Sequence, residues 1–452
     1  MSTFCVVGGG LAGLEFALHS ALKGHRIVIY EAGPQLRTNH VHFDTRVFDG
    51  DEKKVHWTAD EHWALGGISE RLGGRSLCYH GVMLPLEEKA LNSWPEIWQK
   101  RLKGPAGLYH QLQQEFTAKY PEMSRNQAVN LPLHHAPQAA VVGESAAFTS
   151  YSPLYQLEPL IRDGVITIER ATISQVEKKS DGFYLVDAQG QTVNTTGFER
   201  CILSASALVN NKIITQSLAR STIAQVTDHY CIGVAVKVRE GERIADYRHE
   251  MLWHGFSEHH DLNANIFVVE RNNFDNGDRL LLLMAVMEQN PALSDYSELH
   301  CRYHEGKTTL EIQSKHSDAV IENYNQLASR IVDFASTQLG VRLSPLHDTA
   351  VEQSEAFFGA SEGIDFEQAL NALNETERTN IYTRFVFPYG AYEHESCTHP
   401  IGGHGDIALT DSLELTAMPG VYAIGPGAFP RLGIANPALT ICSLSRWLAS
   451  HL

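Results

Sequence analysis

The sequence predicts an α/β fold in which a parallel-sheet domain draws on both ends of the chain and a mostly antiparallel β domain is inserted between them. Three observations predict it. A short apolar strand, a glycine run, a helix and a second strand fill the first thirty-one residues. A second strand, glycine loop and helix follow residue 418. Between them, residues 222–394 show β runs split by polar loops and no comparable glycine run.

The bulk numbers suit that picture. At 452 residues the chain fits two domains or one elaborated one, and its 43% hydrophobic and 20% charged residues are ordinary for a globular protein with a full core. Fifty-three acidic residues against 36 basic ones give a net charge of −17, which makes nucleic acid and anionic membranes poor partners. The seven cysteines form no CxxC pair, so no disulfide framework is expected. No signal peptide and no apolar run of membrane-spanning length are read, and a cytoplasmic location is the expectation. Histidines number 23, but pairs such as His134-His135 and His259-His260 are adjacent. Adjacent strand side chains face opposite ways, so no metal site is expected.

Residues 3–7 read as a short buried strand. Leu11, Leu14, Ala17, Leu18, Ala21 and Leu22 recur at helical spacing, and Lys23-Gly24-His25 stops that helix. Arg26 to Tyr30 form a second strand ending in Glu31. Residues 34–72 are polar and irregular, with an acidic run from Asp44 to Asp51 read as solvated loop. Residues 105–120 read as a helix and 121–150 as loop. Short strands follow at 165–168, 172–176, 183–186 and 201–203, then a helix at 205–220. Beta runs at 232–238, 266–269 and 280–286 precede an amphipathic helix over 318–339 carrying Val320, Leu327 and Ile331. The parallel domain is assigned 1–110, 150–221 and 395–452. The substrate domain is 222–394, and 111–149 is a connecting or lid segment.

Gly8, Gly10 and Gly13 fit G-x-G-x-x-G after a strand and at a helix start, the context of a Rossmann-like dinucleotide site. Gly8 permits the tight turn, Gly10 lets a pyrophosphate approach the backbone, and Gly13 lets helix and strand pack closely. The helix N-terminus favours an anion. Glu31, eighteen residues past Gly13, is placed to accept hydrogen bonds from ribose hydroxyls. FAD and NAD both fit these residues.

The second glycine loop runs from Gly425-Pro426-Gly427 to Asn436-Pro437 at the start of the last helix. With pyrophosphate placed on the first helix, this helix start suits a flavin pyrimidine edge, which gains negative charge on reduction. Residues 419–449 resemble the carboxy-terminal signature of the glucose–methanol–choline (GMC) oxidoreductases, nearest to the pyranose-oxidase-like branch. Thr398-His399-Pro400-Ile401-Gly402 is similar to that family's His-x-x-Gly, and Leu72-Gly73-Gly74-Arg75-Ser76 to its flavin-covering Gly-Gly-x-Ser loop. Arg200 to Ala207 resemble the strand before its Ala-Ala-Gly, with Ser206 in place of the glycine.

The resemblance implies FAD as cofactor, a domain pair like that of the GMC and p-hydroxybenzoate-hydroxylase folds, and oxidation of an alcohol carbon. It implies His399 as the base that takes the hydroxyl proton and Asn436 as a partner for the same oxygen, with Gly73, Gly74, Arg75, Ser76, Gly425, Gly427, Asn436 and Pro437 around the flavin. Imidazole chemistry agrees, because hydride leaves carbon readily as the oxygen becomes an alkoxide. The family's usual continuation is absent after Gly402, where Gly403-His404-Gly405-Asp406 stands. The base role is thus open to His404 and His394 as well. Some relatives attach FAD through a histidine where this chain has Cys78; Cys78 and His80 are the candidates for a covalent link. Tyr392 and His394 precede the motif and are expected in the pocket wall.

The resulting expectation is an FAD-dependent oxidoreductase acting on a small-molecule alcohol. Its electron acceptor, whether oxygen, a quinone or a protein, is not written in the sequence. A redox-neutral lyase, isomerase or decarboxylase, and a flavin-holding interaction protein without turnover, are the competing readings.

Overall fold

The computed structural model describes residues 2–34, 54–124, 134–143, 147–239, 249, 251–259, 263–271, 277–289, 294–346 and 366–452. The acidic run at 44–51 and His260 lie outside them.

The first layer is a five-stranded sheet in the order Val421–Ala423, Arg200–Leu203, Thr3–Val7, Arg26–Glu31, Ile166–Arg170. Every neighbouring pair is parallel, and Val6 lies between Ile29 on one side and Ile202 on the other. Its central residues are buried without alternation, as a sheet covered on both faces requires. This is consistent with a Rossmann-like domain. The helix Leu11–Leu22 follows the first strand and packs along the last helix, Ala438–His451. Buried Glu15 joins the two by pairing with Arg446, and the Tyr151 hydroxyl donates to the same carboxylate.

Arg446 also reaches Glu115 of the helix Leu108–Lys119. The hydroxyls of Tyr109 and Thr440 lie 2.8 Å apart. That helix overlaps the segment read as a connector or lid, yet it is packed against the last helix.

The inserted region forms a six-stranded sheet in the order Trp253–His259, Ala264–Arg271, Arg279–Glu288, His229–Val238, Ile381–Phe387, Ser344–Pro345. All pairs are antiparallel except the last. Its two central strands are buried at every position. Gly233 leaves room for the Phe385 ring, which would stand 1.9 Å from any Cβ there. The helix Asp318–Leu339 covers this sheet, over the span its periodicity predicts.

A four-stranded sheet adds the hairpin Tyr296–His304/Lys307–Lys315, which the sequence reading passed over. Charged residues interleave with Leu299, Cys301, Leu310 and Ile312, and only the alternation betrays it. Its turn is Glu305-Gly306, both at positive φ. The short strand Thr58–Ala59 pairs with this hairpin, so chain from the amino-terminal segment enters a sheet of the inserted region.

Among the described residues no helix is long and apolar enough to cross a membrane. No group of three or more His, Cys, Asp or Glu that could hold a metal occurs among them either.

Candidate active site

One cavity of about 480 Å³ runs from the glycine turn of the parallel sheet to the face of the six-stranded sheet. At the first end stand Gly8, Gly10 and Glu31. Gly8 has φ +98°, and a Cβ there would meet Ala205 Cα and the Ser204 oxygen at 2.6 Å. Gly13 is outside the wall. A Cβ on it would lie 2.2 Å from the Gly8 oxygen, so it serves helix–strand packing. Gly10 differs, because a Cβ there meets nothing within 4 Å. It borders open space at the N-terminus of the helix Leu11–Leu22, whose first amides have no acceptor within the helix.

Glu31 accepts from the Gly9 amide at 2.7 Å and the Gly33 amide at 2.9 Å, one on each oxygen. Burial raises its pKa, although those amides favour the charged form. Each oxygen retains a second acceptor site.

The loop after Leu72 lies over the glycine turn. The Gly73 amide donates to the Gly9 oxygen at 2.8 Å, and a Cβ on Gly74 would sit 3.2 Å from Gly10 Cα. Gly73 itself is not in the cavity wall, whereas Gly74, Arg75, Ser76, Cys78 and His80 are. The Ser76 hydroxyl donates to the Gly73 oxygen at 2.6 Å and meets that of Ser152 at 2.7 Å. Arg75 ties this loop to the segment after the six-stranded sheet, with contacts at 2.6 Å to Glu395 and 3.2 Å to Glu393. Burial alone would lower its pKa; the Glu395 and Glu393 charges outweigh burial and raise it.

From the carboxy-terminal side come Gly425, Pro426, Asn436 and Pro437, the last two opening the helix Ala438–His451. Two helix N-termini from distant parts of the chain therefore border one cavity. Asn436 is 9% exposed, and its Oδ1 is buried with no hydrogen-bond partner. A buried amide oxygen in a cavity wall without a partner fits a ligand donor.

His399 stands elsewhere. It is fully buried and does not line the cavity. Its Nδ1 lies 3.0 Å from the Thr398 hydroxyl and 3.2 Å from the Asn211 amide nitrogen. Its backbone amide donates to the Gly427 oxygen at 2.9 Å. Burial pushes its pKa down to about 3. Gly427 is likewise outside the wall, with His399 packed on it. His404 is exposed and also absent from the wall. The motif identifies the loop, but the fold leaves the motif histidine behind it.

His56, His80 and His394 all line the cavity, and of these His394 stands beside Tyr392 on the segment after the six-stranded sheet. The two rings meet edge-on at 4.9 Å. Nδ1 of His394 is 2.8 Å from Nδ1 of His229, whose Nε2 is 2.8 Å from the Gly433 oxygen. Burial pushes His394 well below the usual histidine range, and the His229 and Arg75 charges add to that. Burial brings His229 down to about 4.

Buried Asp228 anchors this segment. Its carboxylate accepts from the amides of His229 and His394 at 2.7 Å, Gly390 at 2.8 Å and Glu393 at 3.2 Å. Burial and the Glu395 charge push Asp228 up to about 8, against the pull of those amides.

The far wall is apolar. Trp253, Val269, Leu282, Met284 and Phe387 come from four strands of the six-stranded sheet. Sequence reading missed Asp228, His229 and this wall. The wall's signal was the unbroken apolar run 280–287, which marks a strand buried on both faces; a lone Asp-His pair at a strand start carries none.

A scan of family models gives no match, nor does a comparison with curated protein sequences. Solved structures do resemble the chain. Pyridoxine 4-oxidase from Mesorbium loti matches with a TM-score of 0.59 at 12% identity, over 100% of this chain and 99% of its own. An FAD-dependent oxidoreductase from Chaetomium thermophilum matches at 0.58 and 11%, over 100% and 98%. Formate oxidase from Aspergillus oryzae RIB40 matches at 0.61 and 11%, over 99% and 98%. At such identities the likeness establishes the fold, and it spans the whole of each chain.

Proposed function

We propose, from the fold this chain shares with those oxidoreductases, that it binds FAD and oxidises the CH–OH group of a small, uncharged, largely apolar alcohol to a carbonyl. The observation that carries the reading is Asn436. A side-chain amide whose buried Oδ1 has no partner shares one cavity with His394 and with an open glycine cradle at a helix N-terminus.

The residues present fit the cofactor. Gly8, Gly10 and the first amides of the helix Leu11–Leu22 would hold its pyrophosphate. The free acceptor sites of Glu31 would take ribose hydroxyls. Gly74, Arg75, Ser76, Gly425, Asn436 and Pro437 would surround the flavin. Bound FAD supplies the acceptor for the hydride that leaves the substrate carbon.

The chain's own chemistry falls to His394 and Asn436. His394, held neutral by burial, accepts the hydroxyl proton. The Asn436 Nδ2–H group donates to the same oxygen as its charge grows, without titrating. The apolar wall receives the carbon skeleton. Polyhydroxylated substrates would lay hydroxyls against Trp253, Leu282 and Met284, where these apolar side chains offer no partner. Arg75, already paired with Glu393 and Glu395, offers little to an anion.

The test is the visible spectrum of the purified protein before and after acid precipitation, followed by anaerobic addition of apolar alcohols. Flavin bands that bleach with alcohol support the reading. Colour kept in the pellet would place a covalent link at Cys78 or His80. A colourless protein that cannot take up FAD would overturn it, and a bound flavin that no alcohol bleaches would move the chain to redox-neutral chemistry.

A further inference from the structure

We infer that His229 is a positioning residue that sets the tautomer of His394, keeping a proton on its Nδ1 so that Nε2 is the bare acceptor. The inference rests on the reading of His394 as the base.

The argument starts from the Gly433 oxygen. A carbonyl only accepts, so His229 Nε2, 2.8 Å away, carries a proton. A neutral imidazole has one N–H, which leaves His229 Nδ1 as an acceptor. His394 Nδ1, 2.8 Å from it, must then be the donor. The one remaining ring nitrogen of His394 is Nε2, unprotonated, on a residue of the cavity wall.

Every part of this relay is held. His229 is fully buried. The Asp228 carboxylate takes the backbone amides of both histidines through the same oxygen, each at 2.7 Å. The Gly433 amide donates to Glu288 at 2.9 Å, and Ile434 to Glu87 at 3.2 Å, so the accepting carbonyl is fixed. The rings of His229 and His394 cross at 78° with centroids 4.9 Å apart.

Among the described residues, Arg75 acts on His394 and Glu288 on His229, the Tyr392 ring meets both rings, and Asp228 holds both backbone amides. When His394 takes the substrate proton on Nε2, its Nδ1–H keeps its acceptor on His229. The new cation is thus hydrogen-bonded without a second proton transfer.

Two substitutions separate this role from mere support of the loop. Asn at 229 retains an acceptor near the place of Nδ1 and loses the bond to Gly433. Gln at 229 retains a donor for Gly433 and loses that acceptor. His229→Asn should keep the limiting rate of flavin reduction by an alcohol within about 10-fold, while His229→Gln should lower it about 100-fold with little change in KM. A Gln variant faster than the Asn variant would overturn the inference.

A second readout needs no turnover. Nitrogen-15 histidine spectra of the FAD-loaded protein, with the His394 signal assigned by its loss in His394→Gln, should show the Nδ1–H form. An Nε2–H form at His394 would overturn the inference whatever the kinetics. If no alcohol bleaches the wild-type flavin, the functional reading fails while the spectrum still decides the tautomer.

Discussion

His399 and Gly427 are packed so closely that a Cβ on Gly427 would stand 2.1 Å from Cε1 of the histidine ring. The contact holds the motif histidine behind the loop, outside the cavity wall. Its backbone amide bonds to Gly427, Cys397 to Pro426 and Ile401 to Ala428. The ring lies against the loop whose Gly425 and Pro426 face the cavity. His399 therefore braces a cavity loop.

Gly427→Ala should test the brace. The added methyl collides with a ring buried on every side, so the loop or the ring must move. The expected cost is about 1–3 kcal/mol in denaturant unfolding, with weaker FAD binding than wild type.

Exchanging the two histidines should separate chemistry from support. His394→Gln is expected to slow anaerobic flavin reduction by roughly 10²–10⁴-fold, the range for loss of a general base. His399→Gln should lower stability and leave that rate within about 10-fold, a margin well short of a lost general base. Stopped-flow absorbance reads both, and the reverse ranking would restore the motif histidine as base.

The pH dependence of stability follows from the same burial. His399 falls from 6.5 to about 3 on folding, so below pH 6.5 the unfolded chain binds the proton that the folded one refuses. Stability from this residue is full above 6.5 and is lost as pH falls, by up to about 1.4 kcal/mol per unit. His399→Gln lacks this loss. Its stability deficit against wild type should therefore shrink between pH 6.5 and 5.5, measured by urea unfolding at each pH.

Gly10→Ala should divide cofactor binding from folding. The position has φ −82° and an open Cβ direction, so the methyl strains nothing in the protein itself. Apoprotein stability should change by less than about 1 kcal/mol. FAD affinity should fall at least about 10-fold, because the methyl stands where the pyrophosphate must approach. Equal affinities in a fluorescence titration would remove the pyrophosphate from this turn.

Arg446→Met should show what joins the first and last helices. It leaves Glu15 buried without its strongest partner. Losing one side of a buried pair costs about 3–5 kcal/mol, read as a lowered unfolding midpoint.

The parallel sheet and its glycine turn were legible because local rules govern them. Gly8 needs its positive φ, Gly13 its close packing and Gly10 its open face, and all three follow from a strand, a tight turn and a helix within thirty residues. The helix at 318–339 was legible from its period. The hairpin at 296–315 and the strand Trp253–His259 were not, because interleaved charges hide an apolar face that only partner strands reveal.

The candidate base shows the same division. The sequence by itself pointed to His399 and Asn436, from the last sixty residues, as candidates beside the glycine turn. Only the tertiary structure puts His394, and not His399, in the cavity wall. His394 and His399 are five residues apart on one segment, and their facing depends on the Asp228 carboxylate gathering the backbone at 390–394 and on Gly427 receiving the ring of His399. Both partners are distant in sequence, and a side chain's direction is set by what it packs against.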